Sequence, residues 1–438
     1  MWHACSQTTG AVAVYGVYGL TSAWFVAVGV GPQAVAAVTL VTPVLLVLGA
    51  LATTAGTGGA SLVSRSLGAG DPTGAARAAG GAVAVWTVGA LTVSVLGLVL
   101  LEPLLTLLST PPALRDDARA YAAVLLAGSL VATGFSALIR AEGRLRYATA
   151  VWLVPVLVQI ALDPLLVLVL DLGVRGAALG TVGGQLVSAA MSAWFFVGQR
   201  DRPYRIRPRD LLPDGRTVGA VLSLGAPAFL AGAGTTVVAV LVNAALARAD
   251  DPADLAGYAL AARVVAFVTM PFLGIAQGLA PVLGYNAGRG LHARVAAARR
   301  IAVVATTGYG CAAAVVVALA APALVGVFTA GTDVAAAGTR ALRVLAVGVA
   351  VSGLVPVVAA CCQAVGRPRP SYVLTLGTLV AVRIPAVLVA APHGTRAVLP
   401  ALAVAEVLSA VCAAAVLRLA GPARRAARTR SRTSRAAS

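Results

Sequence analysis

The stretch VWLVPVLVQIALDPLLVLVLDLGVRGAALGTVGGQLVSAA, residues 151–190, decides the fold. It contains two apolar runs separated by a short loop from Asp171 to Arg175. Each run is long enough to cross a hydrocarbon core of roughly 30 Å as a helix. The first carries one carboxylate near its middle, Asp163, with Gln159 one helical turn before it and Pro164 directly after it. The second carries Thr181 and Gln185. An ionised side chain at bilayer depth costs at least about 2.5–3.5 kcal/mol, so Asp163 is a candidate functional residue by default. Pro164 removes a backbone donor and kinks the helix beside the acid. The competing reading is that Asp163 pairs with a neighbouring helix and only locks packing.

Composition extends this reading to the whole chain. Of 438 residues, 59% are hydrophobic and only 11% charged. A soluble domain cannot hide that much apolar surface, so the chain is an all-α, polytopic membrane protein embedded in a lipid bilayer. The formal net charge is +18 and all 33 cationic residues are Arg. In a soluble protein this would suggest nucleic acid; here the arginines sit between apolar segments, so topology explains them and no nucleic-acid partner is expected. The five cysteines form no C-x-x-C or Cys/His pattern and read as small apolar residues. The start, MWHACSQTTG, lacks the basic region and cleavage site of a signal peptide. The first hydrophobic segment begins almost at Met1, so a few residues upstream are expected to be missing.

The pattern predicts twelve transmembrane helices: 8–29, 34–62, 77–101, 118–139, 148–170, 176–198, 218–246, 255–283, 296–321, 340–362, 371–391 and 397–419. One set of connecting loops, with the C-terminal segment, holds 24 arginines, and the other set holds 7. The first set is therefore cytoplasmic, and both termini lie inside. The acidic run from Arg248 to Asp251 falls outside. The longest basic loop, residues 199–216, divides six spans (1–198) from six spans (217–420). The tail, 421–438, is basic and without apolar periodicity, and is expected to be a disordered cytoplasmic anchor.

The halves resemble each other. Gly68 and Gly70 after span two match Gly288 and Gly290 after span eight at an offset of 220. Gly143-Arg144 after span four matches Gly366-Arg367 after span ten at an offset of 223. With six spans per half, the second repeat keeps the orientation of the first. That is a parallel repeat related by a two-fold axis along the membrane normal, which places a substrate path between the bundles near the midplane.

The segments SLVSRSLGAGD (61–71), Gly143-Arg144, LDPLL (162–166), Gly176-Ala177-Ala178, MPFLGIAQG (270–278) and PVLGYNAG (281–288) resemble the MATE (multidrug and toxic compound extrusion) family of the MOP superfamily. The resemblance covers nearly the whole chain, and the stretch ending in GYNAG carries most of it. It implies two V-forming six-helix bundles with alternating access. The implied activity is antiport: a small organic molecule, often cationic or hydrophobic, leaves the bacterial inner (plasma) membrane in exchange for H⁺ or Na⁺. No other cofactor and no enzymatic activity are implied, and a monomer is expected.

In the DinF-like branch of that family a cation site uses an Asp on span one, an Asn and an Asp on span five, and a Thr on span six. Asp163 and Thr181 match the last two. Gln159 stands in the place of the Asn. Ser22 stands about where the span-one Asp would be, and no ionised residue lies between Met1 and Ser64. A hard cation such as Na⁺ wants several oxygens with negative charge, and one carboxylate with neutral oxygens makes a thin site. An acid in apolar surroundings can instead carry a proton, which favours H⁺. The branches that use a Glu on span seven or an Asp on span ten find no match here, since spans 218–246 and 340–362 contain no acid.

Glu406 is the second intramembrane acid, and Arg263 and Arg383 are the expected buried cations. Together they form a possible second site, or Arg383 and Glu406 make a structural pair. Asn243, Gln277 and Tyr285 are candidates for a cavity lining. A flippase for lipid-linked precursors from the same superfamily is the alternative function. It would want several cavity cations for a pyrophosphate, and only Arg263 and Arg383 qualify. No Ser/His pair or metal-ligand spacing supports a membrane-embedded enzyme.

Overall fold

The computed structural model describes residues 24–107, 110–132, 135–199, 201–247, 252–328 and 332–419. Regular structure among them is helical throughout. A helical stretch 24–29 (α1) precedes α2 (Pro32–Gly68), α3 (Pro72–Val99), the short α4 (Leu101–Leu107) and α5 (Pro112–Ala127). Then come α6 (Ser136–Ala141), α7 (Leu145–Pro164), α8 (Gly173–Gly198), α9 (Gly215–Ala247), α10 (Pro252–Gly288) and α11 (His292–Gly326). The chain continues with α12 (Thr332–Ser352), α13 (Leu354–Ala364), α14 (Pro368–Tyr372), α15 (Ile384–Ala390) and α16 (Thr395–Leu419).

Among the described residues nine helices are long and apolar enough to cross a membrane, or ten if the bent pair Pro112–Ala127 and Ser129–Ala141 is one span. α8 is a further helix of 26 residues, less apolar because it carries five glycines in its first half with Thr and Gln among them. Most of the first expected span, Ser22 and the tail 421–438 lie outside the described residues, as does the run from Arg248 to Asp251. Large apolar side chains such as Val197 (88% exposed) and Leu319 (78%) project outward. In water such a surface would drive association; against acyl chains it is the expected exterior.

Two expected spans are interrupted at a glycine. Span four bends by 54° beyond α5, at Gly128 and a 3₁₀ turn, Ser129–Val131. Span ten is interrupted between α12 and α13 at Gly353. There the ring of Phe272 fills the place a Cβ would take, so only glycine admits it.

The internal repeat is written in backbone geometry. α2 and α10 are both 37 residues long, begin at a proline and end in glycine. Each is closed by a left-handed glycine, Gly70 at φ +74 and Gly290 at φ +70. The closing bonds correspond: Asp71 N–H donates to Ser66 O at 2.9 Å, and Leu291 N–H to Asn286 O at 2.9 Å. Gly143 (φ +83) and Gly366 (φ +76) repeat the device four spans into each half. A side chain at any of these positions would force strain, which is why the sequence keeps the spacing.

The chain separates into two compact units, Met1–Phe229 and Leu230–Ser438, and the division falls inside α9. In the first unit a core of Val41, Leu105, Leu125 and Ala178 joins α2, α4, α5 and α8. The basic segment after α8 is fixed to this unit. Arg202 lies 4.9, 4.7 and 4.8 Å from the rings of Phe195, Phe196 and Tyr204 and forms an ion pair with Glu142. Both partners of that pair are 1% exposed. Burial, and then Glu142, push the Tyr204 phenol well above its ordinary range, so it stays protonated. The backbone of Asp210 presses on Gly80, and α9 enters against α2 through close approaches at Gly58 and Gly225. In the second unit Val317, Ala341, Leu342 and Ala346 pack α11 on α12, with Leu399 of α16 beside them.

Candidate functional site

The site is built where α7 meets α8. α7 carries Pro155 and Pro164 within it. Pro164 has no N–H, and after it the helix resumes as a π-helical turn, Leu165–Val169, in which Leu170 N–H donates to Leu165 O at 2.9 Å. Single π turns of this kind concentrate at functional positions. The chain then reverses through Asp171 (φ +48) and Gly173 (φ +56) into α8.

α8 presents Gly176, Gly180 and Gly184, four residues apart and so on one face, to α7. A Cβ at Gly176 would stand 2.7 Å from Leu166 O, and one at Gly184 2.8 Å from Pro155 O. At Gly180 it would collide with Oδ1 of Asp163. The two backbones therefore approach only because these residues lack side chains. The carboxylate of Asp163 occupies the space left by Gly180.

The result is a buried polar cluster within the first unit. Asp163 is 1% exposed, Gln159 6% and Thr181 9%. Gln159 Nε2 donates to Thr181 Oγ1 at 2.7 Å, and Thr181 Oγ1 donates to Ala177 O at 3.1 Å. The structure thus brings together three of the four expected coupling residues; the fourth, Ser22, lies outside the described residues. The cluster can hold a proton on a carboxylate, or offer one carboxylate and neutral amide and hydroxyl oxygens to a hard cation. Among the described residues no group of three or more His, Cys, Asp or Glu is placed to hold a metal. A separate cleft of about 300 Å³, beside the turn between α7 and α8, is lined by residues that include Asp116, Asp117, Asp171 and Arg175.

In the second unit Arg383 and Glu406 meet, with Arg383 Nη2 donating to Glu406 Oε2 at 2.9 Å. Arg263 does not join them: expected to be buried, it is exposed on α10 and makes no ion pair among the described residues. An apolar span does not reveal which of its faces looks into its own bundle, so burial could not be read from position alone. Of the cavity candidates, Gln277 is half-buried, with Oε1 enclosed and lacking a hydrogen-bond partner among the described residues. Asn243 is exposed on α9. Tyr285 stands in the last turn of α10, with Arg289 5.8 Å from its ring centroid, which places it at a helix end rather than mid-span.

Residues 8–165 and 227–389 match the family model described as MatE. The chain belongs to the MatE family. It is 24% identical over 417 residues to the "Multidrug export protein MepA" of Staphylococcus aureus (strain MSSA476), a match covering 92% of this chain and 89% of the relative. The protein of the same name from Staphylococcus haemolyticus (strain JCSC1435) is 26% identical over 280 residues, covering 62% of this chain and 60% of the relative. A solved outward-facing conformation of a multidrug resistance MATE family transporter of the MOP superfamily superposes with a TM-score of 0.86 at 25% identity, covering 97% of this chain and 95% of that one. A MATE in the straight conformation gives a TM-score of 0.89 at 25% identity, covering 96% and 95%. This MatE chain is therefore an all-helical, multi-pass membrane protein of a transporter family, not of an enzyme family.

The sequence names Asp163, Gln159 and Thr181, which the structure brings together, but does not single out Gly180, whose missing side chain leaves room for the acid. The signal was present as three glycines spaced by four in a membrane helix.

Proposed function

We propose that this MatE transporter exports small organic molecules, often cationic or hydrophobic, across the bacterial inner membrane in exchange for H⁺ or Na⁺. Two six-span bundles, 1–198 and 217–420, joined through 199–216, alternate access in this reading. The protein acts as a monomer with both termini and the tail 421–438 in the cytoplasm. The observation that carries the reading is the buried Asp163, set beside a proline-broken turn and next to the Gln159–Thr181 bond. Asp163 takes and releases the coupling ion, and Gln159, Thr181 and Ser22 supply neutral oxygens. A single carboxylate among neutral groups suits a proton better than a hard cation. The chain falls on the DinF-like side of its family in this reading, because an intramembrane acid lies on span five and none lies on spans seven or ten. Arg383 and Glu406 form a second polar region, apart from Arg263, and Asn243, Gln277 and Tyr285 belong to the substrate path.

The test is transport in proteoliposomes. A pH gradient and a Na⁺ gradient are imposed separately, and efflux of a fluorescent organic cation is followed for wild type and Asp163→Asn. Efflux driven by the pH gradient and lost in Asp163→Asn is the expected result. Undiminished gradient-driven efflux by a folded Asp163→Asn protein would remove Asp163 from coupling.

A further inference from the structure

The second unit contains an ion pair that is built but left half open. Span eleven runs from α14 through two π-helical turns, Val373–Gly377 and Leu379–Arg383, into α15, and Arg383 is the last residue of the second turn. Its partner, Glu406, stands on α16 with its stem against α12, where a Cβ at Gly348 would lie 3.3 Å from Glu406 Cγ. The acid is thus held by a glycine, as Asp163 is in the first unit.

The two halves share a register here. Leu145 and Pro368, the starts of α7 and α14, are 223 residues apart (368 − 145), and Gly173 and Thr395 are 222 apart (395 − 173). On either register Arg383 corresponds to position 160 or 161, within one turn of Asp163. The second repeat therefore carries a cation where the first carries an acid.

An arginine offers its Nε–H and one Nη–H as a parallel fork that fits both oxygens of a carboxylate. Arg202 uses that fork in full on Glu142, with Nε bonded to Oε2 at 3.1 Å and Nη2 bonded to Oε1. Both of those side chains are 1% exposed, so the pair is closed. Arg383 uses only Nη2 on Glu406, and its Nε has no hydrogen-bond partner among the described residues. The side chains are 20% and 26% exposed, so this pair is more open than that of Arg202 and Glu142, although Arg383 Nε itself is enclosed. An enclosed donor without an acceptor is costly, and a ligand acceptor removes the cost.

We propose that Arg383 and Glu406 form a subsite for the carboxylate of a zwitterionic organic molecule. The carboxylate completes the fork of Arg383, and the ligand's ammonium takes the place of the guanidinium at Glu406. The site stays electrically neutral throughout, so no unpaired charge is left in the membrane interior. The proposal takes its ligand class, a small organic molecule, from the export reading.

The experiment measures equilibrium binding to the purified full chain by fluorescence anisotropy. The probes are a fluorescent compound with one amine and one carboxylate, and its methyl ester, which keeps the amine and loses the anion. Wild type is expected to bind the zwitterion about tenfold more tightly than the ester, in keeping with a charged hydrogen bond in place of an orphaned donor. Arg383→Gln brings the ratio to about one by weakening the zwitterion alone. Glu406→Gln removes the internal competitor and raises the ratio. A wild-type ratio near one overturns the proposal. So does an equal loss of both probes in Glu406→Gln, which remains decisive where Arg383→Gln does not fold. Gradient-driven transport of the two probes is measured in parallel: preferential binding without transport by wild type would overturn the export reading and leave the subsite standing.

Discussion

Replacing Gly180 by alanine puts a methyl group where the carboxylate of Asp163 now lies. α8 lies close against the carbonyls of Leu166 and Pro155 at Gly176 and Gly184, one helical turn to either side. The carboxylate or the helix must therefore move, and overpacking of this kind costs about 1–3 kcal/mol. If that cost falls on the ion-loaded state, apparent affinity for the driving ion drops by roughly 5- to 150-fold. Gly183→Ala is the control, since its Cβ would meet only the Cδ1 end of Leu162, a flexible side chain. The assay is initial efflux from proteoliposomes as a function of the driving-ion concentration, for wild type and both variants, with thermal unfolding in detergent alongside. The expected outcome is a shifted half-saturation for Gly180→Ala and little shift for Gly183→Ala. If Gly180→Ala lowers only the unfolding temperature and keeps the wild-type half-saturation, the placement of Asp163 against Gly180 does not set the affinity for the ion.

Thr181→Val removes the acceptor of Gln159 Nε2, and losing that buried bond should cost about 0.5–1.5 kcal/mol, read as a lower unfolding temperature; an unchanged temperature would mean that the bond contributes nothing to stability. Glu142→Gln strands a buried guanidinium and should cost about 3–5 kcal/mol, while the double change Glu142→Leu with Arg202→Met should cost less; equal loss in both variants would show that the cation's aromatic cage, not the ion pair, holds the segment. Asp71 caps α3 by accepting from Gly74 N–H at 2.7 Å, so Asp71→Ala should cost about 0.5–2 kcal/mol, toward the low end because the site is open to water. The Gly74 N–H, then the Thr73 hydroxyl, holds the Asp71 carboxyl below its ordinary range. Its contribution is therefore present above the unfolded carboxylate value of about 3.9 and is lost as pH falls through the lower folded value. Asp71→Ala should unfold with a flatter acid limb, and an acid limb parallel to wild type would sink that assignment.

The sequence by itself determined the membrane class and the duplication. Those follow from long-wavelength properties: apolar runs long enough to span, arginines sorted between loops, and glycines needed wherever a helix closes with a left-handed residue. Asp163, Gln159 and Thr181 were also legible, because a carboxylate in an apolar run is costly wherever the run ends up, and helical spacing places Gln159 beside it. The tertiary structure alone decided which groups meet. Gly180 looks like any other glycine until α7 lies against α8. Arg263 and Arg383 are equally cationic residues in apolar spans, yet one is exposed and the other reaches Glu406. Arg202 reads as one arginine among many in a basic loop, and only the packing of Phe195, Phe196 and Tyr204 around it shows that it is buried. Sequence fixes what each span is made of, but the rotation of one helix against the next is set by the sum of many small contacts with neighbours far away in the chain.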